Sequence, residues 1–123
     1  MTAKGSFDID LEPQTDPIAP TGRMLIKKVY DGDIKATGTG QMLSKRTAGG
    51  VAVYCAIEEV EGSVDGKSGT FTLLHNGYMS TNRQSLEIQI VEGTGTNELA
   101  NIQGSLEITQ SETGHSYELN YNL

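Results

Sequence analysis

The chain has 123 residues, of which 36% are hydrophobic and 20% are charged, and its formal net charge is −7. This length suits one compact domain, residues 1–123, with a single core. The negative charge would repel phosphate backbones and anionic lipid headgroups, so we expect neither nucleic-acid binding nor membrane binding.

The first predicted strand alternates apolar and acidic residues. Phe7, Ile9 and Leu11 alternate with Asp8 and Asp10, which is the period of a strand that buries one face and exposes the other. No helix-length amphipathic run follows anywhere in the chain, so we predict an all-β protein.

Residues 12–22 contain all three prolines, Pro13, Pro17 and Pro20. Proline removes a backbone donor and extends the residue before it. We therefore predict an extended loop here, leading to a second strand over residues 23–30.

Two Asp-Gly pairs mark the next turns. Both central residues of a two-residue hairpin turn need positive φ, which glycine adopts freely and aspartate tolerates. Asp31-Gly32 and Asp65-Gly66 therefore predict two hairpins. The four strands that they join are expected at residues 23–30, 33–42, 51–64 and 67–79.

Three further strands are predicted at residues 84–91, 102–108 and 116–123. Between the first two of these, residues 93–96 predict a wide loop, with one helical turn at residues 97–100. A phosphate-binding loop is not expected there, because the segment has neither the lysine nor the long helix of such loops. The last strand would be an exposed apolar edge unless another strand covered it, and the first strand is the natural partner. We therefore predict a closed antiparallel barrel of about eight strands.

The strand at residues 51–64 is informative because neither of its faces looks like a plain solvent face. If the aliphatic face points inward, Tyr54 lies at a surface or subunit contact; if the other face points inward, the interior is roomy and polar and is a candidate site. A homo-oligomer interface would cover whichever face is left outside. The two faces carry Val51, Val53, Cys55 and Ile57 on one side and Ala52, Tyr54, Ala56 and Glu58 on the other.

Cys55 is the single cysteine, so it forms no internal disulfide, and its apolar neighbours predict a small buried side chain. A reducing compartment and no apolar signal region predict a cytoplasmic protein. His75 and His115 with one cysteine make no zinc set, and the acidic residues lack calcium-loop spacing. We expect no metal and no cofactor.

The candidate catalytic residues are Glu58 and His75, because a carboxylate and an imidazole in one barrel could move protons. Tyr54, Tyr117 and Tyr121 are candidate ligand-binding residues. Each has a plainer interpretation: Glu58 as a rim or surface carboxylate near Lys67, His75 as a buried histidine bonded to backbone, and the tyrosines as core or interface side chains.

Seven short segments spread over nearly the whole chain form a recognisable pattern. They are Gly5-Ser6-Phe7, Met42-Leu43-Ser44, Tyr54-Cys55-Ala56-Ile57-Glu58, Gly66-Lys67-Ser68-Gly69-Thr70-Phe71, His75-Asn76-Gly77, Gly93-Thr94-Gly95-Thr96-Asn97-Glu98-Leu99-Ala100 and His115-Ser116-Tyr117-Glu118-Leu119. Together they resemble a family of small bacterial domains of unknown function, whose fold is similar to that of allene oxide cyclase. The resemblance implies a closed eight-stranded barrel of calycin-like shape, often oligomeric, with a ligand-sized interior. It does not imply the cyclase activity, since the enzyme's catalytic positions are not matched one by one in this sequence.

Three functions follow from such a barrel. The first is binding of a small, largely apolar molecule inside it. The second is an isomerase or cyclase that uses Glu58, assisted by His75 or a tyrosine, and acts mainly by holding a flexible substrate in one conformer. The third is a filled barrel with an oligomeric or scaffolding role, whose dry core would be packed by Leu73, Ile88, Leu106 and Leu119.

Overall fold

The computed structural model describes residues 1–19 and 21–123, and Pro20 lies outside the described residues. Eight antiparallel strands close into one barrel in chain order, with the last strand hydrogen-bonded to the first. The predicted all-β barrel and its closure are confirmed. The strands are β1 (Thr2–Gln14), β2 (Gly22–Gly32), β3 (Ile34–Arg46), β4 (Ala52–Val64), β5 (Lys67–Met79), β6 (Gln84–Ile90), β7 (Gln103–Ser111) and β8 (Gly114–Asn122).

The predicted turn at Asp65-Gly66 is confirmed, and the one at Asp31-Gly32 is wrong in detail. Asp65 and Gly66 both have positive φ, and Val64 pairs with Lys67 across a two-residue turn. Asp31 and Gly32 instead continue β2 alongside β1, and β2 and β3 first pair at Tyr30 and Ala36. The turn is wider because the start of β1 competes for the same backbone groups.

The proline-containing loop is shorter than predicted. Residues 12–14 belong to β1, where Pro13 pairs with Met24. This part of β1 has no partner on its other side, because the pairs with β8 stop at Phe7 and His115. Proline is tolerated there because an edge strand does not need every backbone donor.

One end of the barrel is packed shut; we call it the closed end. The β2–β3 and β4–β5 turns lie here, and a 3₁₀-helix at Asn97–Leu99, the predicted helical turn, places Leu99 in the core. Tyr117 Oη accepts a hydrogen bond from the Ile34 amide at 2.8 Å and donates one to the Asp31 carbonyl at 2.8 Å. The closed end is therefore a core whose polar groups are bonded within the chain.

The opposite end, where β1 runs into β2, β3 into β4 and β5 into β6, we call the mouth. Ile9, Leu11 and Leu86 share the inward faces of their strands with buried residues, yet all three are exposed. These inward-facing apolar side chains are therefore not covered by the rest of the protein at the mouth.

The structure shows which face of β4 points into the barrel. Ala56 and Glu58 are buried inside the barrel, whereas Cys55 and Ile57 are exposed on its outer wall. The expectation that Cys55 is buried was wrong, because the aliphatic face of β4 is the outer one. Within residues 1–19 and 21–123, no helix has the length and apolar character needed to cross a membrane.

Candidate functional site

Four polar side chains meet inside the barrel between the closed end and the mouth; we call them the floor cluster. Glu58 is fully buried and lies at the centre. Its Oε1 accepts hydrogen bonds from Lys28 Nζ at 3.0 Å and pairs with His75 Nε2 at 2.9 Å, and its Oε2 accepts one from Tyr30 Oη at 2.5 Å. The carboxylate is thus bonded through both oxygens to side chains of the same chain.

Strand register brings these residues together from three strands. Lys28 lies opposite Gly38 on β3, and Gly38 lies opposite Val60 on β4, one inward position from Glu58. A Cβ at Gly38 would overlap Oε2 of Glu58. The missing side chain on β3 therefore lets Lys28 and Tyr30 reach Glu58 across the intervening strand.

Charge in the floor cluster is balanced by Lys28, whose side chain is almost completely buried. Its ammonium lies 5.0 Å from the ring centroid of Phe7 and 5.8 Å from that of Tyr30. Aromatic faces stabilise a cation that has lost water. Among the described residues, no buried side-chain nitrogen or oxygen lacks a hydrogen-bond partner.

Burial by itself raises the pKa of Glu58, but the hydrogen bond from His75, the charge of Lys28 and the hydrogen bond from Tyr30 outweigh it and hold the pKa below its ordinary value. Burial and the neighbouring Glu58 carboxylate raise the pKa of Tyr30 well above 10.0. Glu58 is therefore a carboxylate and Tyr30 a neutral phenol at neutral pH. A carboxylate of such low basicity, with its oxygens occupied, is better suited to holding neighbours in place than to abstracting a proton.

Above the floor cluster, the mouth is lined mainly by apolar side chains. Tyr54 lies one inward position nearer the mouth than Ala56, and its ring covers the space that a side chain at Gly77 would need. Burial raises the pKa of Tyr54, so its hydroxyl stays protonated at neutral pH. The mouth is thus lined by apolar side chains and by one phenol, that of Tyr54, on the side of the floor cluster.

The structure brings together some of the predicted site residues and separates others. Glu58 and His75 are in contact, whereas Tyr54 lies two inward positions nearer the mouth than Glu58. Tyr117 and Tyr121 lie at the closed end, where Tyr121 Oη donates to Asp65 Oδ2 at 2.5 Å. Tyr117 does reach the floor cluster, because its ring lies edge-on to that of Tyr30 at 5.6 Å.

Two of the plainer interpretations need correction. Glu58 is not a rim or surface carboxylate near Lys67, since it is buried and paired with Lys28. His75 is buried as expected, but its partner is the Glu58 carboxylate rather than backbone. Both differences arise because the polar face of β4 is the inner one.

Lys28 and Tyr30 are the site residues that the sequence reasoning missed. Lys28 is not among the predicted site residues, yet it is in phase with Ile26 and Tyr30, and all three are buried. The signal was a lysine at period two within an apolar strand face. Among the described residues, no group of three His, Cys, Asp or Glu side chains could hold a metal ion.

Comparison with known proteins points to one family. A family model described as protein of unknown function DUF3224 matches residues 3–121. A crystal structure of a DUF3224 protein of unknown function from Shewanella oneidensis MR-1 is 32% identical, with a TM-score of 0.94 over 100% of this chain and 96% of the other. No curated protein matches the chain significantly. The near-complete match in both sequence and barrel places this chain in the DUF3224 family of proteins of unknown function.

Proposed function

We propose that the protein binds a small, largely apolar molecule in the mouth of the barrel, above the floor cluster. The observation that carries this proposal is the exposure of inward-facing apolar side chains, of which Leu86 is the clearest at 45%. Apolar surface inside a concave site gains free energy when a ligand displaces water from it. The fold is well suited to this, because an eight-stranded barrel has room for one small ligand.

The floor cluster favours an uncharged ligand. The charges of Glu58 and Lys28 compensate each other, so they leave no net charge to attract an ion. The formal charge of the whole chain, −7, also disfavours anions. A neutral molecule with one hydrogen-bonding group fits best, because the Tyr54 hydroxyl is a neutral donor and acceptor in the mouth.

A second candidate is a lumenal isomerase or cyclase in an allene oxide cyclase-like barrel, with Glu58 assisted by His75 or a tyrosine. The convergence of these groups in one buried cluster supports it. Binding is favoured over catalysis because the Glu58 carboxylate is already bonded to three side chains and its pKa is lowered. Under the catalytic alternative, Glu58→Gln would abolish turnover of a bound substrate without reducing its binding.

A bacterial origin and a cytoplasmic location belong to the same proposal. The similar Shewanella oneidensis protein supports the first. An exposed, unpaired thiol at Cys55 supports the second, because such thiols persist best in a reducing compartment.

The proposal is tested with N-phenyl-1-naphthylamine, an uncharged aromatic probe whose fluorescence rises in apolar surroundings. Leu86→Asp places a charge inside the mouth, whereas Leu74→Asp places the same charge on the outer wall of the neighbouring strand, at a nearly equal exposure of 43% against 45%. We expect Leu86→Asp to weaken probe binding at least about tenfold and Leu74→Asp to leave it unchanged.

Circular dichroism and thermal melting of both variants confirm that they are folded. Loss of binding in Leu74→Asp alone would contradict the proposal by locating the probe on the outer wall. Absence of binding to the unaltered protein would also contradict it and would favour the filled-barrel alternative.

A further inference from the structure

His75 uses only one of its two ring nitrogens for contacts within the chain. Nε2 lies 2.9 Å from Oε1 of Glu58, and Nδ1 makes no hydrogen bond within residues 1–19 and 21–123. No enclosed side-chain nitrogen or oxygen of these residues lacks a hydrogen-bond partner. The Nδ1 atom is therefore not enclosed by protein, although the residue as a whole is only 3% exposed.

The open side of the imidazole lies toward the mouth. His75 points into the barrel, with the closed end below it filled by packed side chains. Toward the mouth, the next inward residue of β5 is Gly77, which has no side chain that could cover the imidazole. The ring of Tyr54 lies against Gly77 instead. A molecule in the mouth would therefore meet the His75 imidazole beside Tyr54.

The contacts of Glu58 determine which nitrogen of His75 carries the proton. Lys28 Nζ lies 3.0 Å from Oε1 of Glu58, and Tyr30 donates to Oε2, so the group is held as a carboxylate. A carboxylate only accepts hydrogen bonds, and Nε2 must therefore be the protonated nitrogen. In the neutral imidazole the other nitrogen then has a lone pair and no proton. Nδ1 is thus a hydrogen-bond acceptor at the bottom of the mouth.

We propose that the ligand in the mouth carries a hydrogen-bond donor, a hydroxyl or N–H group, and donates it to Nδ1 of His75. This ligand class rests on the proposed binding function and narrows it to neutral apolar molecules such as alcohols, phenols and amides. Ethers, esters and ketones are disfavoured, because their oxygens only accept. Such a molecule would remove water from Nδ1 without replacing the hydrogen bond that the water makes.

Tyr54 and His115, two other polar side chains at the mouth, do not impose the same choice. The Tyr54 hydroxyl both donates and accepts, so it can bond a ligand hydroxyl or an ether oxygen equally well. His115 lies opposite Phe7, and the two rings stack at 5.1 Å. No carboxylate of the described residues pairs with His115, so either of its nitrogens can carry the proton. A preference for donor ligands therefore reports on His75.

Two naphthalenes that differ by one methyl group test the inference. 1-Naphthol carries a hydroxyl donor, whereas 1-methoxynaphthalene has the same rings and the same oxygen but no donor. In titration calorimetry at neutral pH, the unaltered protein should bind 1-naphthol at least about tenfold more tightly. The ether is the more apolar of the two, so removal from water alone would favour it instead.

His75→Phe keeps an aromatic ring and removes both nitrogens. It should reduce the preference for 1-naphthol to less than about twofold. His115→Phe is the matched control, because it makes the same substitution at the second histidine of the chain, and it should leave the preference unchanged. Circular dichroism of both variants verifies that they are folded.

Nitrogen-15 NMR of the unaltered protein examines His75 without replacing it. The chain has two histidines, and His115→Phe assigns their signals. We expect a protonated Nε2 and an unprotonated Nδ1 in His75. Addition of 1-naphthol should shift the Nδ1 resonance, and addition of 1-methoxynaphthalene should not.

The outcomes separate this inference from the proposed function. Equal binding of the two naphthalenes would overturn the inference and leave binding in the mouth intact. Binding of neither would contradict the proposed function, and the inference with it. A proton on Nδ1 of His75, or a preference for 1-naphthol that survives His75→Phe in a folded protein, would also overturn the inference.

Discussion

Glu58 is the residue on which the interior of the barrel depends most. Glu58→Gln removes the negative charge and leaves Lys28 buried without its ion-pair partner. Removing one member of a buried pair typically costs about 3 kcal/mol or more. We expect the free energy of unfolding, measured with urea, to fall by about that amount. Glu107→Gln on the exposed outer face of β7 is the control and should change it by less than about 0.5 kcal/mol.

Adding Lys28→Met to Glu58→Gln should recover part of the lost stability, because the uncompensated charge is then gone. A double variant as unstable as the sum of the single ones would show that the pair does not act as a unit.

Because the pKa of Glu58 is lowered, the contribution of its carboxylate to the free energy of unfolding depends on pH. A carboxyl whose folded-state pKa is below its unfolded value stabilises the protein fully above the unfolded value, and this stabilisation is lost as the pH falls through the folded value. The stability difference between the unaltered protein and Glu58→Gln should therefore be largest near neutral pH. It should shrink on acidification below 4.5, the ordinary value for this group. Urea unfolding at a series of pH values measures it, and a difference independent of pH would contradict the lowered pKa.

At the scale of the strand, β3 contributes space rather than contacts to the floor cluster. Gly38→Ala would place a methyl group against Oε2 of Glu58. Overpacking of this kind costs about 1 to 3 kcal/mol. We expect Gly38→Ala to lower the free energy of unfolding by an amount in that range, measured by thermal and urea unfolding.

Gly49→Ala is the matched control for Gly38→Ala, because a Cβ at Gly49 meets only Thr47 Oγ1 at 4.0 Å and the residue lies in the exposed β3–β4 loop. Gly49→Ala should change the free energy of unfolding by less than about 0.5 kcal/mol. Equal effects of the two substitutions would mean that Gly38 is not needed for the approach of Glu58.

At the scale of the whole molecule, the barrel closes unevenly. β4 and β5 pair over their full lengths, whereas β6 and β7 share the single register pair Gln89 and Ser105. Backbone amides with fewer ladder hydrogen bonds open more readily. In hydrogen exchange followed by NMR, we expect amides at residues 84–88 to exchange at least about tenfold faster than those in the middle of β4. Uniform protection around the barrel would show that the seam between β6 and β7 is not its weak point.

Much of the fold follows from local patterns in the chain. The Asp65-Gly66 turn is determined by two neighbouring residues with positive φ. Most strands can be identified because apolar and polar residues alternate along them, and this alternation involves only residues close together in the chain. Closure through β1 and β8 follows from the apolar last strand, which needs a neighbour. Asp31-Gly32 does not form the predicted two-residue turn, because both residues pair with β1, which is distant in sequence.

The sequence by itself determined that this is an eight-stranded barrel with a carboxylate and a histidine on neighbouring strands. Only the tertiary structure decided that Glu58 points inward and Cys55 outward, since a strand with two partly apolar faces can be turned over without changing its pattern. The same holds for Lys28, whose burial depends on Glu58, which lies 30 positions further along the chain. Periodicity is a property of neighbours along the chain, whereas a buried ion pair requires two distant strands and a glycine between them to lie in register.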